Sequence, residues 1–131
     1  MKNERNELLI QLRPIIKSSK TLDNTNQFEA FQNNTLRPII KFQHDLSILL
    51  LKSYLNNNKF ELGNSTTEKI SDFISTALKK DKQLNLQVIH TITGFLTTEE
   101  FEYYTQNKKE THKRITQICT ERYLTNLEQL Y

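Results

Sequence analysis

Apolar residues along the chain recur with helical spacing. Ile70, Phe73, Ile74, Ala77 and Leu78 fall at i, i+3, i+4, i+7 and i+8, the pattern of one buried helix face. Alternation of apolar and polar residues is not sustained anywhere, so no strand is expected. The pattern predicts an all-α, single-domain bundle of about five helices spanning 1–131, with a long C-terminal helix.

Punctuation marks the boundaries. STTE at 65–68 reads as a capping box, with Ser65 as N-cap and Glu68 reaching back. KKDK at 79–82 ends that helix, and Asp81 can cap the next, which runs through LNLQVIHTIT to Gly94. Gly94 suits the left-handed position just past a helix end. In LTTEEF, Thr97 is the N-cap, Glu100 stands at N3, and Leu96 can staple against Phe101. The last helix starts there and extends toward Leu130, with a polar middle, QNKKETHKR, where it can bend or break. Residues 3–18 read as an N-terminal helix, 18–26 as a linker and 56–64 as a loop; 1–25 thus take in the N-terminal helix and its linker.

The hexapeptide LRPIIK occurs at 12–17 and again at 36–41. Aligning the copies aligns nothing on either side, so it is not a solenoid repeat. Thr35 as N-cap would place Pro38 at N3, where a missing N–H costs nothing, whereas Pro14 stops or kinks the first helix. Arg13 and Arg37, each preceding a proline, are biased away from helical torsions.

On the 36–55 helix, Leu36, Ile39, Ile40, Phe42, Leu46, Leu50, Leu51 and Tyr54 cover one wide arc. Gln43 and Ser47 fall inside it, while Ile48, Leu49 and Leu55 lie outside. That breadth marks this helix as central. On a continuous last helix Phe101, Tyr104, Ile115, Ile118 and Cys119 form a stripe that also carries Lys108, His112 and Arg122. Those basic side chains either snorkel from its edge or, with Gln43 and Ser47, hold a small anion.

Composition narrows the chemistry. The chain has 131 residues, 25% of them charged, a net charge of +3 and a pI near 9.0. That is a mild balance with acids interleaved, and nucleic acid is not an expected partner. The longest apolar run, 48–51, is far short of the roughly 20 residues that span a bilayer. A charged N-terminus shows no signal peptide. One cysteine, Cys119, excludes an internal disulfide and fits the cytoplasm as a buried structural thiol. With two glycines there is no phosphate loop or nucleophile elbow. His44 and Asp45 are adjacent and diverge by about 100° on a helix, and no Glu-x-x-His or His-x-x-x-His occurs. No catalytic residue, metal or cofactor is assigned. IHTITGFLTTEEFEYY has helix-turn-helix lengths, but Glu99, Glu100 and Glu102 would oppose DNA at its second helix.

NTLRPIIKFQHDL, TGFLTTEEFEYY and KRITQICTERYL together resemble a family of small bacterial helical proteins of unknown function, over about residues 28–131. Some members carry the label "glyoxalase". Glyoxalase I resembles paired βαβββ modules with His and Glu metal ligands, a constellation this chain does not have. The resemblance implies a helical fold and kinship in packing positions.

The functional expectation is a non-catalytic protein that associates with itself or with another protein. Ile115, Ile118, Cys119, Tyr123, Leu124, Leu127, Leu130 and Tyr131 span more than one face of the last helix, and that surplus predicts a dimer unless the N-terminal helix covers it. The alternative is a small-molecule or anion-binding protein, possibly an enzyme, using Gln43, Ser47, Lys108, His112 and Arg122.

Overall fold

A computed structural model describes residues 3–14 and 26–131. Every regular element among them is helical. Helices α1 (Glu4–Leu12), α2 (Gln27–Phe31), α3 (Arg37–Phe42), α4 (His44–Asn57), α5 (Thr67–Lys80), α6 (Lys82–Thr93), α7 (Thr98–Gln106) and α8 (Lys108–Thr125) follow in order. The all-α expectation holds, and the helices exceed the expected five because two long ones are interrupted.

The first interruption surrounds Pro38. Helix α2 does not stop before the second LRPIIK. It continues into α3 through a π-helical turn, Gln32–Leu36, in which the Arg37 N–H reaches back five residues to the Gln32 carbonyl. Proline has no N–H for the carbonyl four residues earlier and its ring crowds that carbonyl, so a wider turn relieves the conflict. Thr35 is therefore inside the helix and caps nothing. Arg37 is helical (φ −61°, ψ −44°), against expectation. Arg13, in the first copy, is extended (φ −77°, ψ 131°) and ends α1 at Leu12, as the bias before proline requires. One tripeptide, LRP, thus adopts two backbones. The linker expected at 18–26 lies, except for Asn26, outside the described residues, as does the end of the helix expected to reach residue 18.

A second interruption is milder. Gln43 (φ −89°, ψ 10°) separates α3 from α4, although the Gln43 and Ser47 N–H groups still bond four residues back. The third is Asn107 (φ −129°, ψ 35°), which ends α7 and starts α8, so the C-terminal helix is 108–125 and not 98–130.

Caps fall mostly where composition places them. Thr97 and Glu100 form a complete capping box on α7. Asp81 caps α6 by accepting from the Leu84 N–H at 3.2 Å. On α5 the cap is Thr66, accepting from Lys69, while Ser65 donates to the Glu61 carbonyl. Gly94 is right-handed (φ −64°) and left-handed backbone falls instead on Lys59 (φ 54°). There the Phe60 N–H bonds to the Leu55 carbonyl and the Lys59 N–H to the Asn56 carbonyl, the two bonds of a Schellman ending. Leu96 is buried while Phe101 is exposed and sets its ring edge on Tyr104, so the expected staple does not place both side chains inside.

The centre of the bundle is α8, not the 36–55 helix: it packs against α5, α6, α7 and the π-helical turn. Thr111, Ile115, Ile118, Cys119 and Tyr123 form its buried stripe. They meet Ile70, Ile74 and Leu78 of α5 and Leu84, Val88, Ile89 and Ile92 of α6 in one hydrophobic core. Among the described residues no helix is long and apolar enough to cross a membrane.

Candidate functional site

Most of the polar residues expected to converge around an anion are bonded to other partners in the fold. Gln43 donates from Nε2 to the Thr91 carbonyl at 2.9 Å, joining α3 to the end of α6. The Ser47 hydroxyl bonds to the Tyr123 hydroxyl at 2.5 Å, and Tyr123 also donates to the Ser47 carbonyl. These bonds satisfy the two inward polar groups structurally and hold α4 to α8. Burial raises the Tyr123 hydroxyl pKa, and its bond to Ser47 only partly offsets this.

His112 Nε2 bonds to the Tyr104 hydroxyl at 2.5 Å across the α7–α8 break. Burial, helped by the nearby charges of Lys108 and His90, lowers its pKa and favours neutral imidazole. Arg122 lies elsewhere, donating to His44 Nδ1 at 3.0 Å, while His44 Nε2 bonds to Gln129. Lys108 is exposed. The Asn107 break resets the helical phase, so Phe101 and Tyr104 of α7 leave the expected stripe, while Lys108, His112 and Arg122 stay together on α8. Cys119 is 2% exposed, and burial pushes its thiol pKa up to about 12, the Arg122 charge opposing weakly. Such a thiol is protonated at neutral pH and is no nucleophile. No group of three or more His, Cys, Asp or Glu among the described residues is placed to hold a metal ion.

The surplus apolar surface is also in a different place. Ile115, Ile118, Cys119, Tyr123 and Leu130 are buried, and Leu124 and Leu127 pack against the core, leaving Tyr131 exposed. Helix α1 does not do this covering through its polar groups, which go to the α6–α7 turn. Arg5 donates to the Gly94 and Leu96 carbonyls, and Asn6 and Thr98 exchange hydrogen bonds.

One face of α3 and α4 stays open, as do Leu8, Ile10 and Leu12 of α1 and Phe101 of α7. Phe42 (42% exposed), Leu46 (48%) and Leu49 (60%) stand at i, i+4 and i+7 and so share a side of the helix. Phe42 rests its edge on Phe95, with ring centroids 5.5 Å apart. Beside the stripe, Leu50 of α4 and Leu86, Gln87 and His90 of α6 line an open groove of about 620 Å³. Asp45 and Lys52 lie on α4 on the other side of the stripe from Leu50, with Lys52 Nζ 3.5 Å from the Tyr131 carbonyl oxygen. The sequence reading put Phe42 and Leu46 in the core arc because it treated that arc as continuous. The bonds of the inward Gln43 and Ser47 to α6 and α8 fix the rotation of the helix, which leaves Leu46 and Leu49 about half in solvent.

The geometry defines a protein that is all-helical over its described residues and carries an open apolar helix face. No known protein family matches the chain, and no curated protein or solved structure is significantly similar to it.

Proposed function

We propose that the protein is a non-catalytic association module that pairs with a second copy of itself through α3 and α4. The observation that carries this reading is the stripe of Phe42, Leu46 and Leu49, three large apolar side chains on one helix face about half in solvent. Burying such side chains is worth about 1.5–3 kcal/mol each when complete, a strong drive toward a partner.

The occupant follows from charge. Asp45 and Lys52 are seven residues apart and lie on the same flank of the stripe. A two-fold axis that sets α4 antiparallel to its copy brings Asp45 of each chain toward Lys52 of the other, so the surface is complementary to itself. The groove between α4 and α6, floored by Leu50 and Leu86, is the natural seat for Leu49 of the second copy. On this reading the protein works in the cytoplasm, where a lone buried thiol stays reduced.

Sedimentation equilibrium of the wild type and of Leu49→Asp tests the proposal. Expected is a concentration-dependent dimer for the wild type and a monomer of unchanged helicity for the variant. A wild type that stays monomeric throughout, or a variant that dimerises as tightly, would overturn it.

A further inference from the structure

A second surface, using no residue of the α3–α4 face, has a different chemistry. The end of α5, the start of α6 and the middle of α8 enclose a groove of about 460 Å³ lined by Lys79, Lys80, Lys82, Asn85, His112, Lys113 and Thr116, with Leu78 and Gln117 at its margins. No carboxylate is among the lining residues. Among the described residues none of the four lysine ammonium groups forms an ion pair.

The nearest acid in sequence is turned away. Asp81 sits between Lys80 and Lys82, yet its Oδ2 accepts from the Tyr54 hydroxyl of α4 at 2.8 Å and its Oδ1 from the Leu84 N–H at 3.2 Å. Both oxygens accept from groups that do not line the groove, so Asp81 forms no ion pair with these lysines, although its charge remains beside Lys80 and Lys82. Glu110, on α8, is paired with Arg114.

Helix-end electrostatics account for only part of this clustering. Lys79 and Lys80 lie in the last turn of α5, where cations complement the macrodipole. Lys82 opens α6, where a cation opposes the dipole, and Lys113 comes from the middle of α8. Cations around one concavity repel one another, and an anion in the groove would relieve that repulsion.

The groove also offers directed donors. Asn85 Nδ2 donates to Thr116 Oγ1 at 2.8 Å, which fixes both side chains and leaves the Thr116 hydroxyl hydrogen as a donor. His112 engages Tyr104 through Nε2, leaving Nδ1 for the groove it lines. A cavity of this size suits a small ligand, and cations gathered around one point suit clustered charge better than a polymer backbone, which calls for an extended basic face.

We propose that the groove between the α5–α6 turn and α8 binds a small phosphate-bearing anion, with Lys79, Lys80, Lys82 and Lys113 supplying charge and Thr116 a hydrogen bond. The site is new with respect to the residues that the sequence grouped for an anion: of those five, only His112 lines it.

Titration calorimetry at low salt with inorganic pyrophosphate tests it on three proteins: the wild type, the pair Lys82→Ala with Lys113→Ala, and a control pair of equal charge, Lys59→Ala with Lys69→Ala. All four lysines are exposed, and circular dichroism checks that each pair folds. The expected result is one site in the wild type, weakened about tenfold or more by the groove pair and unchanged by the control pair. No binding to the wild type, or equal weakening in both pairs, would overturn it. So would a single-stranded oligonucleotide that displaces pyrophosphate and binds both pairs alike, since that marks a diffuse polyanion surface.

Discussion

Arg13 and Glu100, 87 positions apart in the chain, form a two-pronged ion pair with donor–acceptor distances of 2.7 and 2.5 Å. Arg13 also donates to the Phe95 carbonyl, and Thr35 donates its hydroxyl to Glu100. The same carboxylate closes the capping box by accepting from the Thr97 N–H. One acid thus ties the end of α1, the π-helical turn and the start of α7 together, with side chains only 9% and 19% exposed. Arg13 Nε is buried beside it with no hydrogen-bond partner.

Removing one side of that pair strands the other. Arg13→Ala should cost about 2–3 kcal/mol of stability, read from urea unfolding midpoints. Burial raises the Glu100 pKa, but the Arg13 hydrogen bonds and charge, with those of Thr97, outweigh it and the net shift is downward. A carboxylate lowered in the folded state contributes stability that is complete above its ordinary value of 4.5 and is lost as pH falls through the folded value. The acid limb of the stability profile should therefore be flatter in Glu100→Gln than in the wild type. Parallel limbs would show that the pair contributes nothing to acid lability.

Lys59 occupies left-handed backbone that a side chain disfavours by about 1–2 kcal/mol. Lys59→Gly removes that penalty at some entropic cost, and should raise stability by about 0.5–1 kcal/mol in thermal or urea unfolding. A loss on substitution would mean that the lysine side chain contributes more than its backbone costs.

Tyr123 and Ser47 should act as a unit. Tyr123→Phe and Ser47→Ala should each cost about 1 kcal/mol, and the double variant little more than either alone. Additive losses in that cycle would show that the hydroxyls do not depend on one another.

Cys119 should react with a disulfide reagent only as fast as the bundle opens. Its labelling rate in the native protein should rise with urea in step with unfolding. Rapid native labelling would be inconsistent with a thiol 2% exposed.

How far the fold is legible depended on where the chain is regular. Helix α5 reads directly, since its four buried residues, Ile70, Ile74, Ala77 and Leu78, are among the five the spacing selects, and the fifth, Phe73, is half-buried against the core. The Thr97–Glu100 box reads equally well because it is local. What local pattern cannot show is a long-range choice: Thr35 looks like a cap until Glu100, from a distant segment, takes its hydroxyl. The π-helical turn is hidden for a related reason, since Pro38 forbids one hydrogen bond without saying whether the chain stops or widens. Phase errors then spread. A break at Asn107 rephases Phe101 and Tyr104 against α8, and Leu46, expected in the core arc, is half exposed. The groove around Lys82 and Lys113 was illegible because it joins α5, α6 and α8 across more than thirty residues of sequence.

The central claim, pairing of α4 with α4 of a second copy, is tested most directly by exchanging the flanking charges. Sedimentation equilibrium would be measured for Asp45→Lys, Lys52→Asp and the two combined, against the wild type. The two-fold arrangement predicts that each single change weakens the dimer, by setting like charges together twice, and that the combination restores it. A combination as weak as the single changes, or single changes without effect, would contradict the arrangement.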